Sequence, residues 1–288
     1  MATHIVEAGQ RNLERASQLM RSPLEIVRVL NGGEHARTLL ASCPDGALVV
    51  VRRFPVGDPA GGREVTLSPR LKELGTLTPG LIAAAPSDAE GSLLVTEYVE
   101  ATSSPRVSDQ VLGSELGKAL SLIHALSGAG LRRVPSRPPL GLGPVATAAH
   151  HAFPDLARGE LVLTHGDFWL GNTLWRGGQL VAVVDWSGAR EGPRAVDLAW
   201  LRLDLILQGR RAAADAVVAA YEENAGCRVD QLSAWDLQAA AQAEAVVESW
   251  SPNYHGIGLT ELTPARLRDQ LDRWSTSLLE GARGRFPL

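Results

Sequence analysis

Lysine is nearly missing from this chain. Lys72 and Lys118 are the only two, so 26 of the 28 basic residues (28 minus 2) are arginine. Neither lysine lies in a strand-like run, so a fixed cation on a strand has to be an arginine, a planar fork where lysine is a point charge. Cysteine is equally scarce. Cys43 and Cys227 cannot build the disulfide framework of a small secreted domain, and they lack metal-site spacing. No apolar run approaches the roughly 20 residues of a membrane span, and the opening residues Met1 to Glu7 contain no apolar signal core. A net charge of −4 and a pI near 6.0 give no basic footprint for nucleic acid. What is present is a chain of 288 residues, 45% hydrophobic and 21% charged, enough for a substantial core in one large domain or two small ones. The expectation is a soluble cytoplasmic protein with neither a nucleic-acid nor a membrane partner.

The hydrophobic pattern divides near residue 100. Before it, helical spacing over 4–21 is followed by strand-like runs at 24–30, 36–42 and 47–53. Asn31-Gly32-Gly33 and Pro44-Asp45-Gly46 mark turns between them, as in an antiparallel meander. A helix is expected over 63–74, closed by Gly75, and further strands at 81–85 and 92–98. After residue 100 helices dominate, at 111–126, 145–157, 195–208, 211–224, 233–250 and 264–281. The last is well marked: Thr263 can cap it, Pro264 suits its first turn, and Leu267, Leu271, Trp274 and Leu278 form a stripe. A short strand pair, 173–175 and 180–185, interrupts the helices around Gly177-Gly178.

The most informative segment is Leu161-Val-Leu-Thr-His165-Gly166-Asp167-Phe-Trp-Leu-Gly171-Asn172, with Val183-Val184-Asp185 beyond it. Two carboxylates and an amide stand about one hairpin apart, each carboxylate preceded by an apolar strand-like run. Phosphoryl transfer needs charge neutralisation by Mg²⁺ and fixed cations, an acceptor hydroxyl aimed in line, and a base within reach of that hydroxyl. Asp167, in a glycine-flanked loop, suits the base. Asn172 and Asp185 offer the neutral and anionic oxygen ligands that Mg²⁺ favours.

His165-Gly166-Asp167-x4-Asn172 with Asp185 resembles the aminoglycoside phosphotransferase-like family, which shares the protein-kinase fold and includes antibiotic, choline and sugar kinases. The likeness runs over nearly the whole chain, and Gly192-Pro193-x3-Asp197 also fits. It implies an α+β, two-lobed kinase-like fold, with a small antiparallel-sheet nucleotide-binding lobe near 1–100 and a larger helical catalytic and acceptor-binding lobe near 101–288. It implies Asp167 as base, Asn172 and Asp185 as Mg²⁺ ligands, and His165 and Asp197 as supports of the loop. It implies a phosphate-covering loop at Gly32 and Gly33, and a hinge at Glu97 to Val99 whose backbone reads adenine; because backbone groups do the reading, ATP is expected and GTP stays open. The third strand, where the family carries a phosphate-contacting lysine, reads Val49-Val50-Val51-Arg52-Arg53. Arg52, ahead of Arg53, takes that place, paired with Glu64 on the following helix. Trp169-Leu170 stands where family members often carry His-Pro, which bears on the acceptor pocket.

The resulting expectation is an ATP- and Mg²⁺-dependent phosphotransferase acting on a hydroxyl of a small molecule: an aminoglycoside-like antibiotic, a sugar or an amino alcohol. The alternative is a non-catalytic nucleotide- or metabolite-binding kinase-like protein, motivated by arginine in place of lysine. A protein kinase is disfavoured, because the six residues between Asp185 and Gly192 leave no room for an activation segment. Trp250 to His255 either lines an acceptor pocket or packs as an interhelical loop. Glu222, Glu223, Glu244 and Glu248 read as helix surface, or as sites for a cationic acceptor.

Overall fold

The computed structural model describes residues 2–30, 36–103, 105–134, 141, 143–158 and 160–282. Gly32 and Gly33, the expected phosphate-covering glycines, lie outside the described residues. The chain divides into two compact units, Met1–Ala101 with Ala182–Ser187, and Thr102–Val181 with Gly188–Leu288. The architecture is α+β, with the five-stranded antiparallel sheet in the first unit and most of the helix in the second. Among the described residues no helix is long and apolar enough to cross a membrane.

In the first unit, helix α1 (Ala2–Met20) precedes β1 (Glu25–Leu30), β2 (Arg37–Ser42), β3 (Leu48–Arg53), helix α2 (Ala60–Leu71), β4 (Leu81–Ala85) and β5 (Leu93–Glu97). The sheet order is β1-β2-β3-β5-β4, so β3 is central. The Pro44-Asp45-Gly46 turn closes the β2–β3 hairpin, with the Ala47 amide donating to Asp45 Oδ1 at 3.0 Å. Strand alternation then decides which face each β3 residue takes. Val49 and Val51 are buried with Leu39, Ala41, Leu93 and Val95 against Leu13 and Ala16 of α1, each valine or leucine side chain contributing about 1.5–3 kcal/mol by burial. Val50 and Arg52 fall on the opposite face, where Phe54, Leu94 and Ala60 form a smaller cluster. On α2, Ala60, Glu64, Leu67 and Leu71 make the buried stripe, so a carboxylate sits in an otherwise apolar row.

The second unit contains α3 (Asp109–His124), α4 (Pro144–Ala152), β6 (Leu161–Thr164), β7 (Thr173–Arg176), most of β8 (Gln179–Val183), β9 (Arg190–Pro193), α5 (Ala195–Leu207), α6 (Arg211–Ala225), α7 (Leu232–Ala243), α8 (Ser251–Gly256) and α9 (Pro264–Ala282). Ser108 caps α3, its hydroxyl accepting from the Val111 amide. Helices α3 and α6 pack on one another, and α5 packs on α6 and α7. Strands β6 and β9 pair antiparallel, Thr164 opposite Arg190. In α9, Leu267, Leu271 and Trp274 are buried as the stripe requires.

Several elements differ from the sequence pattern. The expected helix 233–250 stops at Ala243 and resumes as a 3₁₀ turn, Val247–Trp250, and then α8. Arg268 of α9 donates to the Glu244 carbonyl at 2.6 Å and grips the Glu248 carboxylate, while Val247 is fully buried. A tertiary partner has taken a carbonyl that helix continuation would use. Residues Trp250 to His255 are thus a turn and short helix rather than a loop. Helix α2 starts at Ala60, before the expected Arg63, because Asp58 Oδ1 accepts the Ala60 amide at 2.8 Å. It gives way to a 3₁₀ segment, Lys72–Leu77, in which Gly75 has φ 58°. The expected helix 145–157 becomes 3₁₀ from Phe153, where Pro154 removes a donor.

Candidate active site

Seven of the expected site residues gather in two clusters, Arg52, Glu64 and Asp185 in the first unit and His165, Asp167, Asn172 and Asp197 in the second. In the first unit, Arg52 on β3 is bracketed by two carboxylates. Its Nη1 donates to Glu64 Oε2 at 2.6 Å and its Nη2 to Asp185 Oδ1 at 3.1 Å. The guanidinium carbon also lies 5.0 Å from the centre of the Phe54 ring, a cation–π contact. Arg53 points elsewhere, its Nε donating to the Glu90 carbonyl. Arg52 and Glu64 are almost sequestered, while Asp185 keeps 23% of its side chain exposed.

One guanidinium shared by two carboxylates leaves an electrostatic deficit. Burial pushes the Glu64 carboxyl up to about 7; the Arg52 charge opposes this and the Asp185 charge adds to it. Arg52 itself is held above its ordinary value: burial works against its charge, and the two carboxylates outweigh burial. Asp185 has φ 61°, the left-handed region that costs a non-glycine residue about 1–3 kcal/mol. Its segment is pinned nearby, where Arg63 Nε donates to the Ser187 carbonyl at 3.1 Å.

In the second unit, β6 delivers the loop His165–Asn172, and α5 serves as its template. Asp197 and Asp204 stand seven residues apart on α5, two turns along one face. Asp197 accepts the amides of His165 at 2.6 Å and Gly166 at 2.9 Å. Asp204 accepts the Leu170 amide at 3.1 Å, the Gln208 side chain at 2.9 Å and the Tyr254 hydroxyl at 2.9 Å. Between these anchors lies Asp167. Its amide donates to His165 Nδ1 at 3.3 Å, and the Asn172 side-chain amide donates to its carbonyl at 2.9 Å and its Oδ2 at 3.0 Å. Both Asn172 donor contacts go to Asp167, which orients the amide and leaves its oxygen as the atom suited to a hard cation.

Gly166 is required twice over. Its φ is 78°, and a Cβ there would run into the Gly188 carbonyl oxygen. His165 is fully buried and edge-on to Phe168. Asp197 is braced in turn by His124, whose Nε2 lies 3.2 Å away and whose Nδ1 meets the Tyr221 hydroxyl at 2.9 Å. Burial alone would raise the Asp197 carboxyl, but the contact with His124 and the Gly166 amide hold it below its ordinary value. Asp204 goes the other way. Burial dominates and lifts it to about 6 despite its hydrogen bonds.

Glu97 and Val99 do not join the Arg52 cluster. Glu97 pairs with Val49 and Arg52 with Leu94, three residues along the strands or roughly 10 Å. The Glu97 amide donates to the Gly80 carbonyl and its carboxylate accepts the Gly80 amide, both at 3.0 Å, so this strand end is fixed. Sequence reasoning missed Asp204, Arg63, His124 and Tyr221. The signal for Asp204 was available: it is a carboxylate inside the apolar run Leu203-Asp204-Leu205-Ile206, one heptad after Asp197. Arg63, His124 and Tyr221 carry no comparable spacing.

Taken singly, Asn172 and Asp185 carry oxygens of the kinds Mg²⁺ binds, an amide and a carboxylate, and Asp185 keeps part of its side chain exposed.

Residues 26–237 match the model of the phosphotransferase enzyme family. Solved structures with the same fold include the aminoglycoside-3'-phosphotransferase of type VIII, at 20% identity over 79% of this chain and 98% of that one, TM-score 0.58. The macrolide 2'-phosphotransferase MphH from Brachybacterium faecium, as apoenzyme, is 20% identical over 94% and 97%, TM-score 0.59. A spectinomycin phosphotransferase in complex with ADP and spectinomycin is 13% identical over 92% and 98%, TM-score 0.62.

Proposed function

The chain belongs to the phosphotransferase enzyme family, and from that premise we propose that it transfers the γ-phosphoryl group of ATP to a hydroxyl of a small molecule. The observation that carries this reading is the Asp167 loop. Two buried carboxylates of one helix hold its backbone, and a side-chain amide orients the Asp167 carboxylate. A merely structural loop carboxylate has no need of such positioning. In the proposed reaction the acceptor oxygen attacks the γ-phosphorus, the bond from phosphorus to the ADP oxygen breaks, and the hydroxyl proton passes to Asp167. Arg52 binds phosphate oxygens through its planar fork, held in place by Glu64. Asn172 and Asp185 would hold Mg²⁺, which neutralises phosphate charge when bound. The Glu97 carbonyl and the Val99 amide would read the adenine edge. Residues 1–100 then act as the nucleotide-binding lobe and 101–288 as the catalytic and acceptor lobe.

The ADP and spectinomycin bound by the spectinomycin phosphotransferase motivate the choice of nucleotide and of a hydroxylated antibiotic or sugar-like acceptor. The test joins two measurements. ATP should raise the melting temperature more with Mg²⁺ than with a chelator, and a panel of hydroxylated antibiotics, sugars and amino alcohols should yield ADP with at least one member. No Mg²⁺-dependent stabilisation and no ADP release across the panel would contradict the proposal.

A further inference from the structure

Four of the seven tryptophans, Trp175, Trp186, Trp235 and Trp274, are buried. The other three, Trp169, Trp200 and Trp250, keep part of their surface open, and all three lie in the second unit. Trp169 follows Asp167 by two residues. Its ring lies over Gly171 so closely that a Cβ there would run into it, and it meets Tyr254 edge-on at 5.8 Å. The Tyr254 hydroxyl is bound to Asp204 of α5. Four residues earlier in both segments, Trp200 of α5 meets Trp250 edge-on at 5.6 Å. The segments 200–204 and 250–254 therefore run in step, and Tyr254 joins the ring beside the proposed base to the segment that carries Trp250.

Indole surface left open to water is costly, and a contiguous group of such rings marks a binding surface. The charges nearby indicate what it binds. Asp204 already receives three donors, and burial lifts it towards neutrality. Asp236 is held by both of its oxygens on Arg202 Nε. Glu248 is gripped by Arg268. These carboxylates already have internal partners, whereas a polycation requires unspent ones.

We propose that Trp169, Trp200 and Trp250 form the acceptor subsite of this enzyme, and that it takes a hydroxylated molecule with a broad apolar face and few or no positive charges, rather than a polycation. The inference rests on the phosphotransferase reading. Isothermal titration calorimetry on the nucleotide-free protein tests it, with erythromycin, chloramphenicol and phenyl β-D-glucopyranoside as apolar-faced probes and kanamycin A as the polycation. At least one apolar-faced probe binds more tightly than kanamycin A. Trp200→Ala and Trp250→Ala each weaken that binding about tenfold, and Trp250→Phe, which keeps a ring face, retains most of it. Should an alanine variant fail to fold, Trp250→Leu, which removes the ring but keeps apolar volume, takes its place. Preference for kanamycin A, no binding by any apolar-faced probe, or undiminished binding in the ring-deleted variants overturns the proposal. Calorimetry reads binding without transfer. Binding of an apolar-faced probe with no ADP release would refute the kinase reading alone, and ADP release with kanamycin A alone would refute the subsite alone.

Discussion

Replacing Glu64 by glutamine should remove a pH dependence of stability that the native chain carries. In the folded protein this carboxyl releases its proton only near pH 7, because burial and the Asp185 charge outweigh Arg52; unfolded, it does so at 4.5. Its folded-state value is raised, so its contribution to stability is complete below pH 4.5 and is lost as pH rises to about 7. A rise from 4.5 to about 7, at about 1.4 kcal/mol per pH unit, amounts to roughly 3 kcal/mol over the whole window. Most of it, roughly 2–3 kcal/mol, falls between pH 5 and pH 8. Glutamine is close in shape to the protonated acid and does not titrate. Glu64→Gln should therefore differ little from the native chain at pH 5 and be favoured by roughly 2–3 kcal/mol more, relative to it, at pH 8. Asp204 and Asp236, both raised to about 6, titrate in native and variant chains alike and cancel in the difference. Urea unfolding followed by circular dichroism at both pH values measures it. Parallel profiles, differing by less than about 1 kcal/mol between the two pH values, would mean that Glu64 is ionised throughout and that Arg52 is not overcommitted.

Gly166→Ala should cost about 2 kcal/mol or more, since it forces both a left-handed φ and a collision with the Gly188 carbonyl; a urea midpoint unchanged from the native chain would refute the close approach. Asp197→Ala removes the acceptor for two buried amides and the partner of His124, and should cost about 3–5 kcal/mol, read as a fall in melting temperature. A loss below about 1 kcal/mol would show that the loop keeps its amides satisfied without α5.

Local chemistry explains why parts of this fold could be read in advance. The Pro44-Asp45-Gly46 turn and the valine alternation of β3 are short-range signals, and the helix from Pro264 has its cap and its stripe within its own residues. Strand β9 could not be read, because Arg190-Glu-Gly-Pro193 has no strand pattern and is extended only because β6 pairs with it. The break after Ala243 was hidden for the same kind of reason: its cause, Arg268, lies 24 residues downstream. At the site, the loop residues were visible as a motif, and Arg52 stood out through the scarcity of lysine. The template beneath the loop was harder to see. His124 acts through a contact 73 residues away in sequence, which no local spacing records, and Asp204 through one 34 residues away, for which its place in an apolar run one heptad after Asp197 was the single cue.

In the proposed reaction Asp167 takes the proton of an acceptor hydroxyl during phosphoryl transfer from ATP. The direct measurement compares Asp167→Asn with the native chain for nucleotide affinity and for single-turnover transfer to whichever panel compound gives the fastest ADP release. Asp167→Asn should keep a nucleotide Kd within about twofold of native and transfer more slowly by on the order of 10²–10⁴. Native-like transfer in the variant, or a loss explained entirely by weaker nucleotide binding, would contradict it.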